Sequence, residues 1–593
     1  MHTDVKSGMQ AIPNEDSPCP HENSTDSFGR TLTVYSEAYG LALVERLRGR
    51  LSTTENSKIL RATSFPRIMS GWSTILGKRI AQEKIIGADG VASAEDDEEV
   101  CHAEADALFY SVSEVKGIDV FVSHSWSAPR WRKHLALCYY NNAASALCAA
   151  LATWLLVAAL QLTGHLAEPT LRGAAIKYLP MLSFIVVFFR GQRCRPYPNS
   201  KNVWLDILCI HQTRDSLKSA GVSAVPEFVT ISDRLLVLWS DNYFERLWCN
   251  SEIATFCIMN GIDKVDFIPL WLAPWVLIFL LLEALSGVLG SAWSSWAPWQ
   301  YWSFSLVHAL PHAEFCLRCT VAYVPAEIAA CASFRRLVKL HDSMVRQLQT
   351  YRLQEAKCTV MSDRSVVEEQ IKQLMVQYEK LKTGDSPPIR NPIKHFNMFM
   401  RNTFKDYIIE RVGRVSQLPY SAVVVIHLPL FFIFSAKGCL LFRHHGRVGG
   451  SAAAVALHGY MEAAICAFGA APTVNIIMLQ AVAHSKRFAE VSRGMELLVN
   501  FVIVVACLLL FIFQCLALCL ITDALTDSIG WWSYLGAMSA IFVWNYYMFV
   551  RRKSHGRSGR WNGSGEDENG WAPVESHSGS SCEEASASSS SGC

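Results

Sequence analysis

The sequence predicts two structural classes in one chain: an α-helical transmembrane bundle and a smaller α/β domain with a parallel, doubly wound sheet. Three observations carry this. Of 593 residues, 51% are hydrophobic and only 18% charged, with a mean hydropathy of +0.18. Soluble domains carry about a quarter charged residues. Apolar segments of membrane-spanning length recur after residue 140. Among them lie short, continuous apolar runs separated by helical stretches, the pattern of strands buried on both faces of a parallel sheet.

The N-terminal region, 1–115, reads as mostly disordered. Residues 1–30 are polar, with Pro13, Pro18 and Pro20 and no apolar signal-peptide core, so the N-terminus is expected in the cytosol. A short helix is expected from Ser36 to Arg48, and the acidic run Glu95–Glu99 reads as a solvated linker. Asn23 and Asn562 match glycosylation sequons but fall on the expected cytosolic side.

The clear spanning segments are 142–163, 271–289, 420–442, 497–521 and 530–550. Segment 175–190 is short but bounded by Lys177 and Arg190, which can snorkel. Two segments are weaker: 311–334 contains Pro311, Glu314 and Pro325, and 452–482 contains Glu462 and Pro472 and reads as interfacial. Eight crossings with both termini cytosolic leave Arg130-Trp131-Arg132-Lys133, Arg190 to Arg195, Arg335-Arg336, Lys486-Arg487 and Arg551-Arg552-Lys553 inside, as the positive-inside rule requires. Six crossings would put the basic stretch 335–419 outside. Membrane segments are thus assigned to 271–334 and 418–550, and a cytosolic helical region to 335–417, with a Ser365/Glu368 capping pattern just before Ile371, Leu374 and Met375 and a break at Pro387-Pro388. The tail 551–593 is basic, then Ser-rich, and disordered by composition.

The net charge of +2, with no basic stripe, argues against a nucleic-acid partner; the lipid bilayer is the expected one. The 19 cysteines are scattered, many inside apolar runs such as Cys507, Cys515 and Cys519, so no disulfide framework is expected. The pair Cys316 and Cys319 lacks two further ligands nearby, and no metal site is expected.

The α/β domain, 116–271, is marked by apolar runs at Asp119–Trp126, Val203–Ile207, Leu235–Trp239 and Val265–Leu270, with helices at 225–233 and 246–260. Ligands of such sheets bind beyond the carboxyl ends of the strands. That places Ser123, His124 and Ser125 after the first strand, Asp206 in the second, and Ser240 and Asp241 after the third as candidate binding residues.

Asp119-Val-Phe-Val-Ser-His-Ser-Trp126 resembles the first motif of Toll/interleukin-1 receptor (TIR) domains. Ser232 to Glu252, ending in Leu-Trp-Cys-Asn-Ser-Glu, resembles the TIR segment that ends in Trp-Cys-x-x-Glu. Trp204-Leu-Asp-Ile-Leu-Cys-Ile-His-Gln212 is similar to the signature of the related heterokaryon-incompatibility domains. The sequence departs from the family twice. In place of one short helix, residues 127–202 carry a transmembrane hairpin (142–190). Near Leu272 the chain enters the membrane, leaving a truncated TIR-like sheet without its fifth strand and last helix.

In TIR domains that cleave NAD, the glutamate of the Trp-Cys-x-x-Glu motif is catalytic, and the matching position is Glu252. The resemblance implies no cofactor, but NAD as a substrate, with Ser123, His124, Ser125, Asp206, Ser240 and Trp248 as candidate pocket residues. Packing alone would account for Trp248 and its neighbour Cys249. The stretch Cys209 to Val222, with Gln212, Arg214, Asp215, Lys218 and Gly221, matches the TIR loop used for self-association. The expected function is a membrane-anchored TIR-like signalling protein that self-associates or binds other TIR-like domains, NAD cleavage being its enzymatic form. Glu283, His427, His458 and Glu462 are the notable polar residues of the apolar segments; the alternative is a channel or transporter gated by that domain, which would line a cavity with Glu283, His458 and Glu462, whereas an anchor would pack with small and apolar residues alone.

Overall fold

The computed structural model describes residues 59–77, 94–163, 165–166, 169–193, 201–296, 313–358, 361–383, 391–412, 420–445, 459–461, 463–489, 491–528 and a few positions between 536 and 543. The expected helix at 36–48, Pro387-Pro388, His458, Glu462, the disordered tail and most of segment 530–550 lie outside these residues.

In chain order, β1 (Arg61–Ala62) is followed by α1 (Ala94–Tyr110), β2 (Ser113–Glu114) and β3 (Ile118–His124). Then come the long helices α2 (Arg130–Leu162) and α3 (Pro169–Arg190). The chain returns through β4 (Val203–Trp204), a single helical turn (Asp206–Cys209), α4 (Asp215–Ser223), α5 (Val225–Ile231), β5 (Ser232–Trp239), α6 (Leu247–Asn260) and β6 (Val265–Pro269). The remainder is helical: α7 (Leu272–Trp296), α8 (Ala313–Gln349), α9 (Met361–Thr383), α10 (Pro392–Phe399), α11 (Lys405–Val412), α12 (Tyr420–Ile426), α13 (Leu428–His445), α14 (Ala471–His484) and α15 (Arg493–Ser528).

The four strands β4-β3-β5-β6 form one sheet in that order, all parallel, with Phe121 opposite Trp204 and Leu235. β1 and β2 pair antiparallel, and Thr63 exchanges two 2.8 Å backbone hydrogen bonds with Val203, so the N-terminal segment caps the β4 edge. The apolar runs are buried on both faces: Phe121, Val237 and Leu238 are fully enclosed, and the Phe121 and Trp204 rings stack 4.2 Å apart. Each such side chain contributes roughly 1.5–3 kcal/mol of transfer free energy.

Three expectations need correction. The acidic run Glu95–Glu99 lies in helix α1 rather than in a linker. That helix is anchored by Asp106, which pairs with His211 (2.7 Å) and Arg214. The second strand is only two residues long, because Asp206 accepts a 2.8 Å hydrogen bond from the Ile207 N–H and starts a helical turn instead. The 209–222 stretch is not one mobile loop: His211 ties its start to α1, and its second half is helix α4, packed through Gly221 against Ile210.

Five described helices are long and apolar enough to cross a membrane: Arg130–Gln161, Gly173–Arg193, Leu272–Leu289, Gly459–His484 and Arg493–Ala517. The fourth was expected to be interfacial, but it is long and apolar enough to span and is the most enclosed of the five. The described part of segment 311–334, from Ala313 on, belongs to the long helix α8, and segment 420–442 is interrupted at His427.

α2 and α3 pack together as a hairpin between β3 and β4. The buried Asn142 clasps it, donating to Phe188 O (2.9 Å) and Gln192 Oε1 (2.6 Å). The N-terminal part of α2 is fastened to the sheet, since Tyr140 donates a 3.0 Å hydrogen bond to Asp266 of β6. Leu155, Leu156, Leu179, Leu182 and Val186 stay exposed on the hairpin, as a lipid-facing surface requires. The helical region after α8 is docked on the α/β unit. Lys357 exchanges backbone hydrogen bonds with Glu245 and Leu247, and α9 packs on α6.

Candidate functional site

With β4 on one side of β3 and β5 on the other, the chain changes direction across the sheet between β3 and β5. Crevices open at such switch points beyond the strand carboxyl ends. β3 delivers Ser123 and His124 to this place and β5 delivers Ser240.

Helix α6 brings Glu252 from its second turn. Ser123 Oγ donates a short hydrogen bond to Glu252 Oε2 and lies 2.5 Å from the Tyr243 hydroxyl. Burial pushes the Glu252 carboxyl up to about 8, against the hydrogen bond from Ser123 and with a smaller push from Asp206. Glu252 therefore holds its proton at neutral pH. Burial also raises the Cys249 thiol well above its usual value, and its Sγ donates to His124 O at 3.6 Å, so this thiol is no nucleophile.

Next to this group stands a second one. His124 Nε2 lies 3.3 Å from Asp206 Oδ1, at ion-pair distance but without hydrogen-bond alignment. The Lys133 ammonium lies 3.2 Å from His124 Nδ1 and donates to Trp126 O. An ammonium can only donate, so Nδ1 is the acceptor and the imidazole proton sits on Nε2, facing Asp206. Trp126 Nε1 donates to Asp206 Oδ2 at 2.5 Å. Burial would raise the Asp206 carboxyl, but His124, Trp126 and the Ile207 N–H together outweigh it and hold Asp206 below the usual range. One ionised and one protonated carboxyl thus sit within electrostatic reach of each other, the arrangement by which environment separates acid from base roles.

Ser125 and Ser240 are joined through two residues the sequence did not single out. Ser125 bonds Ser127 (2.9 Å), Ser127 accepts from Asn242 (2.5 Å), and Ser240 donates to Asn242 (2.8 Å). This chain stitches the loops after β3 and β5. Trp248 takes no part in these hydrogen bonds; it is half-buried and packed against the core. Of the candidate residues, the fold gathers Ser123, His124, Asp206 and Glu252, makes Ser125 and Ser240 a loop clasp, and leaves Trp248 to packing. Lys133, Trp126 and Tyr243 were missed as members.

Glu283 and His427 meet elsewhere, where α7 packs against α12 and α13. Among the described residues, no three His, Cys, Asp or Glu side chains are grouped to hold a metal ion. Compared with known proteins, no family model matches the chain, and neither a curated protein nor a solved structure matches it.

Proposed function

We propose that the chain is a membrane-anchored signalling protein whose cytosolic α/β unit resembles a TIR domain and takes an NAD-like dinucleotide at the switch point. The observation that carries this reading is the meeting of Glu252 with Ser123 and Tyr243 beside the His124–Asp206 pair, beyond the ends of β3 and β5. The order β4-β3-β5-β6 is second, first, third, fourth; the same order in a flavodoxin-like sheet, less its fifth strand, supports the reading. The truncation fits the sequence, because α7 begins three residues after β6 ends.

In this reading the ribose of the substrate lies against Glu252. Departure of nicotinamide leaves an oxocarbenium-like ribose, which a carboxylate stabilises as in glycosidases. Glu252 must be ionised for this, so the cationic nicotinamide ring has to draw out the proton that burial retains. Hydrolysis should therefore rise with pH and level off near the Glu252 value of about 8.

The test is NAD consumption by full-length protein in liposomes beside Glu252→Gln. Turnover that grows in kcat/KM towards pH 8 and falls at least ~100-fold in the variant supports the reading. Binding of NAD without turnover would make the unit a nucleotide-responsive module. Absence of both binding and turnover, with the protein clustered on liposomes, would overturn the nucleotide assignment.

A further inference from the structure

The membrane helices do not pack with apolar residues alone. Glu283 of α7, His427 between α12 and α13, and Asn475 of α14 are each 4% exposed and form one hydrogen-bonded row. His427 Nδ1 lies 2.5 Å from Glu283 Oε1, and His427 Nε2 lies 2.6 Å from Asn475 Nδ2. Glu327 of α8 stands within electrostatic reach of both Glu283 and His427. Glu283 Oε2 and Glu327 Oε2 are buried and have no hydrogen-bond partner. Unpaired carboxylate oxygens in the interior of a membrane bundle are costly, and such groups mark ion or proton sites by default.

The backbone is irregular at the same place. The helix through 420–445 breaks at His427, where Pro429 has no N–H to give to Val425 O. Pro325 lies within α8, two residues before Glu327. A π-helical turn, Cys466–Ala470, leads into α14 just before Asn475. Interrupted helices of this kind border binding sites in membrane proteins.

We infer that Glu283, His427 and Asn475 form an intramembrane proton-binding site. In the observed arrangement the Asn475 amide donates to Nε2, so His427 is neutral, with its Nδ1–H on the Glu283 carboxylate. A proton arriving from water forms a new bond at Nε2. The imidazolium then has two N–H donors, and the Asn475 amide turns over so that Oδ1 accepts from Nε2. Nothing is oxidised or reduced, and the Glu283–His427 pair goes from one negative charge to none. The other titratable group in reach of Glu283 and His427 is Glu327 of α8; the Cys507 thiol of α15 and Cys331 of α8 lie in turn near Glu327, and Arg335 of α8, near Cys331, is bonded away to Asn500, Ser485 and Val482 O. Among the described residues, α2 and α3 bring no ionisable side chain into hydrogen-bond or ion-pair contact with Glu283 or His427.

The site is independent of the sheet chemistry, and infrared difference spectroscopy on the full-length protein in liposomes tests it. With histidine rings labelled with heavy nitrogen, the spectrum is compared between about pH 5 and about pH 8, the range over which an imidazole titrates. An imidazolium ring band that appears on acidification and is missing in His427→Gln is the expected result. Asn475→Asp supplies a carboxylate that can only accept, so its midpoint should move up by at least about one pH unit. This second variant keeps the shape of the site should His427→Gln fail to fold. No pH-dependent histidine band altered by either variant would make the row fixed packing and overturn the inference. A band that follows sodium concentration at constant pH would overturn it in favour of a metal cation.

Discussion

Glu252 has a consequence for folding as well as for chemistry. Its carboxyl ordinarily titrates near 4.5 and is raised to about 8 by burial in the fold. The folded chain thus keeps a proton that the unfolded chain gives up. Stability from this group is full below the ordinary value and is lost as pH rises towards 8. Glu252→Gln should flatten that part of the thermal midpoint against pH, whereas an unchanged slope would show another group to be responsible. At this scale the sequence was informative where a residue type has few explanations. A Ser-His-Ser run after an apolar strand and a glutamate one helical turn into α6 were both found. Lys133 was not. It stands in the basic cluster Arg130-Trp131-Arg132-Lys133, which reads as a membrane flank, and Trp131 next to it is indeed exposed. Only the helical phase, with the fully buried Leu137 one turn on, turns Lys133 inward to His124.

Among elements, strands β3, β5 and β6 and helices α5 and α6 were legible because continuous apolar runs and their Gly, Asn and Ser boundaries admit few alternatives. β4 was overestimated because its run contains Asp206, whose carboxylate captures the Ile207 N–H. α4 was missed because Asp215-Ser-Leu-Lys-Ser-Ala-Gly-Val-Ser shows no strong apolar period. The break at His427 was hidden in an apolar stretch whose length alone suggested one continuous span. Close helix contacts were hidden too. A Cβ at Gly287 of α7 would fall 2.1 Å from Ile433 Cδ1 of α13. Gly287→Ala should therefore cost ~1–3 kcal/mol from overpacking, less a gain of up to ~1 kcal/mol in helix propensity. Thermal melting checks this, and Ile433→Val added to the variant should restore most of the loss.

For the whole molecule, the surprise is how the soluble parts meet. The 335–417 region read as a separate cytosolic helical region, yet it grips the segment just before Glu252. Lys357 pairs with Glu245, Gln347 donates to Asp241 O, Tyr407 donates to Val265 O, and the Phe244 and Phe404 rings meet edge-on at 6.0 Å. Sequence periodicity could show that these helices have an apolar face, but not which partner covers it. Phe404 is fully buried, so Phe404→Ala should cost ~3–5 kcal/mol. Hydrogen exchange should then quicken at 241–250 before it does in β3 or β5; uniform quickening would mean that the region is not a separate clamp. The hairpin between β3 and β4 carries a different implication. A soluble domain is ordinarily a cassette that recombination can lift from one chain to another. Here the edge strand β4 is separated from β3 by two helices long and apolar enough to cross a bilayer, and the last strand, β6, runs directly into a third. No cut yields the sheet without these apolar helices, so this unit can be inherited or expressed only together with them.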